Sequence, residues 1–223
     1  MAGDDVQQDE RHAADTLGGG RDRRCGWHHD GMAWSDAGDP QRYGAGILQG
    51  ERIRLRALED GDLPDLVRWW RDPEWAVLQQ LTARPRPEAD VVEQFRKWSA
   101  NEEAGSVGFC VTDRTSGQLL GHVTLYGARL LTRAATLTVM IGSEHVGAGY
   151  GTDAVRTLVD YGFREMGLNR IELRVFAYNA RARAAYAKVG FVEEGVLRET
   201  VFHDGAFNDE IVMSVLARDW FAR

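Results

Sequence analysis

Two stretches in the second half of the chain alternate between apolar and polar positions. Ala135 to Ile141 (Ala-Thr-Leu-Thr-Val-Met-Ile) is rich in β-branched residues and has a period of two, which predicts a strand. Ile171, Leu173 and Val175 alternate with Arg170, Glu172 and Arg174, predicting a second strand with one apolar face. Between them Val155, Leu158, Val159, Gly162 and Met166 recur at helical spacing, with Gly167 placed to end the helix. The order is strand, loop, helix, strand, a βαβ unit with one parallel step and a right-handed crossover.

The rest of the chain extends this pattern. Arg52 to Arg56 alternates as a first strand, and Asp62 stands where it would cap a helix through Leu66, Val67, Trp69 and Trp70. A short helix is expected after Asp72-Pro73. A longer one starts at Pro87, with Val91, Val92, Phe95 and Trp98 as its apolar face. Ser106–Val111 and Leu119–Tyr126 predict a hairpin across Thr115-Ser-Gly117, and Ala134–Ile141 continues the meander. Phe191–Phe202 and Asn208–Val215 predict a last hairpin turning at Asp204-Gly205. The fold class is therefore α+β, a mixed and mostly antiparallel sheet of about seven strands with one parallel step, flanked by about four helices.

Composition narrows the setting. At 223 residues there is room for one domain with a full core, here 47–223, and a tail. Residues 1–46 lack aliphatic periodicity and predict a mobile tail, in which Trp27, Trp34 and Tyr43 are the candidates for docking on the domain. The net charge of −7 argues against a nucleic-acid partner. No apolar run approaches membrane-spanning length, and the first residues lack a signal peptide's basic and apolar regions. Two cysteines, Cys25 and Cys110, do not make a disulfide framework, so a cytoplasmic location is expected. Cys25, His28 and His29 lack the further Cys/His pair that a tetrahedral metal site needs, and no metal is expected.

The chemistry starts in the loop of the βαβ unit, Gly147-Ala148-Gly149-Tyr150-Gly151-Thr152. Glycines at a helix N-terminus let backbone N–H groups approach an anion, and the helix dipole adds attraction for phosphate. The spacing is neither the dinucleotide G-x-G-x-x-G fingerprint nor a P-loop, since no lysine stands near Gly151-Thr152. Downstream, Asn179-Ala-Arg-Ala182-Arg-Ala-Ala-Tyr186-Ala-Lys188-Val-Gly190-Phe191 resembles the N-x-x-A-x-x-x-Y-x-K-x-G-F segment of the GNAT-superfamily N-acyltransferases. Val146 to Gly151 resembles that family's Q/R-x-x-G-x-G/A pyrophosphate loop, with Val146 in place of the leading Arg or Gln. The tail from Glu193 to Met213 resembles the branch that contains ribosomal-protein N-terminal acetyltransferases.

This resemblance implies a fold and a reaction. It implies the GNAT fold, acetyl-CoA as acyl-donor cosubstrate, and transfer to a primary amine of a small molecule or a protein N-terminus by direct attack in a ternary complex. The cofactor-binding candidates are the loop residues Val146, Gly147, Ala148, Gly149, Tyr150, Gly151 and Thr152 for the pyrophosphate. Met140, Ile141 and Asn179 are the candidates for the amide-rich pantetheine arm. That pairing needs the two parallel strands to part and leave edge groups free. Tyr186 is the expected acid toward the departing thiolate, and a strand N–H near Met140 or Ile141 the expected oxyanion donor. Many relatives carry an acidic residue on the central strand where this chain has Thr136. His122, with a reference pKa of about 6.5, is the candidate base beside solvent water. Glu144 and His145 are expected to face the phosphates. Trp69, Trp70 and Trp75 are expected around an acceptor with an apolar or ring-shaped part. The expected partners are acyl-CoA and an amine acceptor, with no nucleic acid and no membrane, and a homodimer is left open. The alternative is a non-catalytic acyl-CoA-binding sensor or interaction module.

Overall fold

The computed structural model describes residues 38–223. Trp27, Trp34 and the Cys25, His28 and His29 group lie outside the described residues, as do the first 37 positions of the stretch read as a tail. Its last part is helical: α1 spans Asp39–Gly46, where Pro40 presets the first turn, and buries none of its residues. The Tyr43 hydroxyl donates to Glu165.

Among the described residues seven strands form one sheet in the order β1-β2-β3-β4-β5-β7-β6. They are β1 Ile53–Arg56, β2 Val107–Asp113, β3 Leu119–Tyr126, β4 Ala134–Ile141, β5 Arg170–Phe176, β6 Val192–His203 and β7 Ala206–Leu216. Every neighbouring pair is antiparallel except β4 with β5. The expected sheet is therefore present, and the helices outnumber the four expected. They are α2 Leu63–Arg71, α3 Pro73–Gln79, α4 Glu88–Trp98, α5 Tyr150–Arg164, α6 Ala180–Val189 and the short α7 Ala217–Phe221, besides α1. At the β6–β7 turn Asp204 and Gly205 both take positive φ, 51° and 71°, the backbone that a two-residue hairpin requires.

Alternation along each strand sends side chains into two cores. Phe109, Val111, Leu137, Ile171 and Leu173 meet Ala154, Val155, Leu158 and Val159 of α5, with Tyr186 of α6 packed at the margin. On the other face Cys110 and Met140 meet Leu66, Val67, Trp69, Val91 and Phe95 of α2 and α4. The sheet thus separates an α5/α6 layer from an α2/α4 layer.

Asp62 does not cap α2. Position N2 of that helix is Pro64, which has no N–H to donate, so the carboxylate turns elsewhere. It binds Arg56 Nη1 and Nη2 at 2.6 and 2.7 Å and accepts the Glu59 N–H at 2.9 Å. Asp72 does cap α3, accepting from the Glu74 N–H at 3.0 Å.

Candidate active site

The glycine loop presents a row of unused donors. Asp153 N–H donates to Gly149 O at 3.1 Å, the first bond of α5, so the amides of Tyr150, Gly151 and Thr152 have no intrahelical acceptor. The amides from Val146 to Gly149 make no backbone bond either. Gly147 and Gly149 hold φ near +87° and +88°, where an L side chain is strained. Val146, Gly147, Gly149, Gly151 and Thr152 line a cavity of about 810 Å³. Ala148 and Tyr150 do not line it. The Ala148 carbonyl accepts from Arg52, whose guanidinium lies 4.6 Å from the Tyr150 ring centre, while the Tyr150 hydroxyl donates to Asp113 at 3.1 Å. Those contacts hold the loop from behind.

The cavity exists because β4 and β5 part. Their pairing is confined to Ala134↔Arg170, Ala135↔Ile171 and Thr136↔Glu172, although both strands run on for four or five residues. Backbone alternation decides which amides face the gap. Gly142 N–H donates to Leu120 O at 2.9 Å on the β3 side, and His122 lies opposite Met140. The even-numbered amides, Met140 included, therefore point to β3, and those of Val139 and Ile141 point toward the gap. Of the two expected donors, the geometry offers Ile141; Met140 contributes a side chain buried against α2 and α4.

Asn179 stands at the lip of the gap as the N-cap of α6. Its Oδ1 accepts from the Ala182 N–H at 3.2 Å and its Nδ2 reaches Leu78 O at 3.4 Å. One N–H and one lone pair are left on the amide for a ligand. Tyr186, two turns along α6, also lines the cavity and packs at 6.0 Å against Phe191. Burial pushes its phenol up to about 12, so it is a protonated donor at any physiological pH.

On the α2/α4 face the cavity wall is aromatic. Trp70, Trp75, Phe95, Trp98 and His122 line it. Trp69 does not: it is 2% exposed, packs in the core and donates its indole N–H to Glu144 at 2.8 Å. Glu144 also accepts from Arg68 at 2.7 Å, so it faces α2, contrary to the expectation that it faces phosphate. Burial opposes its ionisation, but the Arg68 and Trp69 hydrogen bonds outweigh that and hold it at about 2. His145, edge-on to Trp69 at 5.8 Å, does line the cavity. Trp98, read only as part of an apolar helix face, completes the wall by crossing Trp70 at 5.1 Å.

The environment of His122 removes the property that recommended it as a base. Its Nε2 lies 2.8 Å from Ser99 Oγ, with Phe95 edge-on at 5.3 Å and Trp98 stacked at 6.4 Å. Burial lowers its pKa to about 4, leaving a neutral ring with little proton affinity at pH 7. Thr136 sits at the closed end of the gap, opposite Tyr126 and Glu172. The sequence reading also passed over Glu210 on β7, which lines the cavity while 7% exposed. No group of three His, Cys, Asp or Glu suited to a metal ion occurs among the described residues. No helix among them is long and apolar enough to cross a membrane.

Comparison with known proteins agrees with this geometry. The sequence model described as "Acetyltransferase (GNAT) domain" matches residues 52–192. The spermidine N(1)-acetyltransferase of Vibrio cholerae is 29% identical over 131 residues, which cover 59% of this chain and 73% of that protein. A putative ribosomal N-acetyltransferase, YdaF of Bacillus subtilis, is 34% identical over 104 residues, 47% of this chain and 57% of that one. Among solved structures, the Vibrio cholerae spermidine N-acetyltransferase in complex with CoA and spermine superposes with a TM-score of 0.68 at 29% identity, covering 76% of this chain and 98% of that one. The chain belongs to the GNAT acetyltransferases.

Proposed function

We propose that this GNAT acetyltransferase moves the acetyl group of acetyl-CoA to a primary amine, both bound together in the cavity between β4 and β5. The observation that carries this reading is the parting of β4 and β5 after three residue pairs, beside a loop with seven unbonded amides. The amides of the loop residues that line the cavity, Val146, Gly147, Gly149, Gly151 and Thr152, suit the pyrophosphate, with Arg52 holding Ala148 O behind them. The free β4 edge and the remaining capacity of Asn179 suit the amides of the pantetheine arm. The thioester then lies in the gap, where the two faces of the sheet communicate.

In this reading a neutral amine arrives from the aromatic face and attacks the thioester carbonyl. The Ile141 N–H stabilises the oxyanion. The C–S bond breaks, and Tyr186 on the α6 side protonates the thiolate and recovers its proton from solvent. The amine proton goes to solvent in this reading, since His122 is buried with its Nε2 on Ser99 Oγ and its lowered pKa of about 4 makes it a weak base. Relatives named as a spermidine and as a putative ribosomal N-acetyltransferase support, as acceptor classes, a polyamine and the protein N-terminal amine expected from the sequence. A thiol-release assay with acetyl-CoA and a panel of both kinds of amine tests the reading. CoA should appear only when donor and amine are both present. Binding of acetyl-CoA with no amine-dependent release across the panel would overturn it and leave a sensor.

A further inference from the structure

Glu210 is a charged group of the cavity wall that the acetyl-transfer steps do not use, on a lining that also carries Glu172, Arg174, Arg181 and Lys188. It stands on β7 opposite Phe176 of β5 and Leu197 of β6, at the open end of the gap. Directly opposed residues in antiparallel strands project to the same face. That face also holds His122 and Met140, across the cavity from Glu210. The side chain is more than nine-tenths buried, yet its carboxylate makes no hydrogen bond and no ion pair with any described residue. Arg174, two pairs along β5 on the same face, forms no ion pair with it. The adjacent Asp209 differs, since its carboxylate accepts the Glu199 N–H at 2.9 Å and fixes the β6 bulge.

The Glu210 oxygens are not among the fully buried polar atoms, so they open on the cavity, and a carboxylate there with no protein partner is free to take a cation from a ligand. Resting on the acetyl-transfer reading, we propose that Glu210 is the anionic subsite of the acceptor pocket and that it receives a second, non-reacting cationic group of the acceptor. The distinction between the two nitrogens follows from the chemistry. The attacking amine must be neutral, and a carboxylate held against it would favour its charged form and raise the barrier. A nitrogen that stays charged from binding to release gains the same attraction in ground and transition states. The cavity wall suits the chain between the two groups, since Trp70 and Trp98 offer apolar surface, while the Trp75 ring already carries the Arg181 guanidinium at 5.2 Å. The acceptor class is thus a diamine or polyamine, or another primary amine bearing a remote cation.

The test compares wild type with Glu210→Gln on 1,4-diaminobutane and n-butylamine, which differ only in the second nitrogen. Wild type should favour the diamine in kcat/KM. Glu210→Gln should erase the preference by raising the diamine KM about 30-fold or more, the loss typical of a buried charge left without its partner. The acetyl-CoA KM and the kcat should stay within about twofold. The melting temperature should hold or rise, because an unpaired buried charge has been removed, whereas a structural role would lower it. Unchanged diamine preference in the variant overturns the proposal. Calorimetric titration of 1,4-diaminobutane into CoA-saturated protein reads the subsite without turnover. Binding that is lost in Glu210→Gln supports the subsite even if no amine is acetylated and the catalytic reading fails. Absence of both turnover and diamine binding in wild type overturns the subsite.

Discussion

Replacing Asp153 with alanine tests what holds the phosphate loop in place. Asp153 lies in the first turn of α5, 6% exposed, and its carboxylate accepts the backbone N–H groups of Glu51, Arg52 and Ile53 at 3.1, 2.8 and 3.2 Å. The three losses are unequal. Ile53 is buried, so its amide would be left without water, at a cost of about 1–3 kcal/mol. Glu51 and Arg52 are exposed and their amides can turn to solvent, which limits each loss to about 0.5–1 kcal/mol. The sum is roughly 2–5 kcal/mol, and about 3 kcal/mol would lower the melting temperature by about 6–12 °C in a chain of this size. Arg52 sits on the released segment and donates to Ala148 O, so the loop should loosen as well. Calorimetric melting gives the first effect, and the acetyl-CoA KM, raised more than kcat falls, gives the second. A melting temperature within 2 °C of wild type would show that the three-amide clamp contributes little and that packing alone seats β1 on α5.

Other perturbations separate roles that the fold superimposes. Tyr186→Phe keeps the ring on Phe191 and removes the hydroxyl; steady-state kinetics should show kcat down by about 10²-fold at unchanged acetyl-CoA KM, and turnover within twofold of wild type would transfer the acid role to water. Gly149→Trp places a bulky side chain where φ is +88° beside the loop amides, and titration calorimetry should find acetyl-CoA binding abolished in a folded protein. Affinity near that of wild type would refute the phosphate-loop assignment. Stability should also fall in two acid steps. The lowered His122 pKa means the unfolded chain takes up that proton first, so its contribution is complete above pH 6.5 and is lost as the pH falls toward 4, by about 2 kcal/mol at pH 5. Glu144 and Glu194, both held near 2, add a loss between about pH 4.5 and 2. Urea midpoints for wild type and His122→Gln at pH 7 and 5 check the first step, which the variant should lack.

The fold was legible because its signals are local. A strand with one buried face must alternate, so β4 and β5 could be read residue by residue. Gly147 and Gly149 were legible because the loop needs backbone that other residues rarely adopt. The side chains that were misplaced or missed depend on pairings which periodicity does not carry. Asp62 looks like a cap until Pro64 removes the donor and Arg56, on a neighbouring strand, supplies another. Trp69 looks like cavity wall until Glu144, 75 positions away, takes its N–H. Glu210 shows the same limit most clearly. In sequence it is a charge at the start of an apolar run, the usual signature of an exposed strand end. It is buried because β7 inserts between β5 and β6, a topology set by distant pairings. That insertion places a carboxylate on the cavity wall with no ion-pair partner among the described residues. On the proposed reading, recognition of a cationic acceptor is the constraint acting at this position.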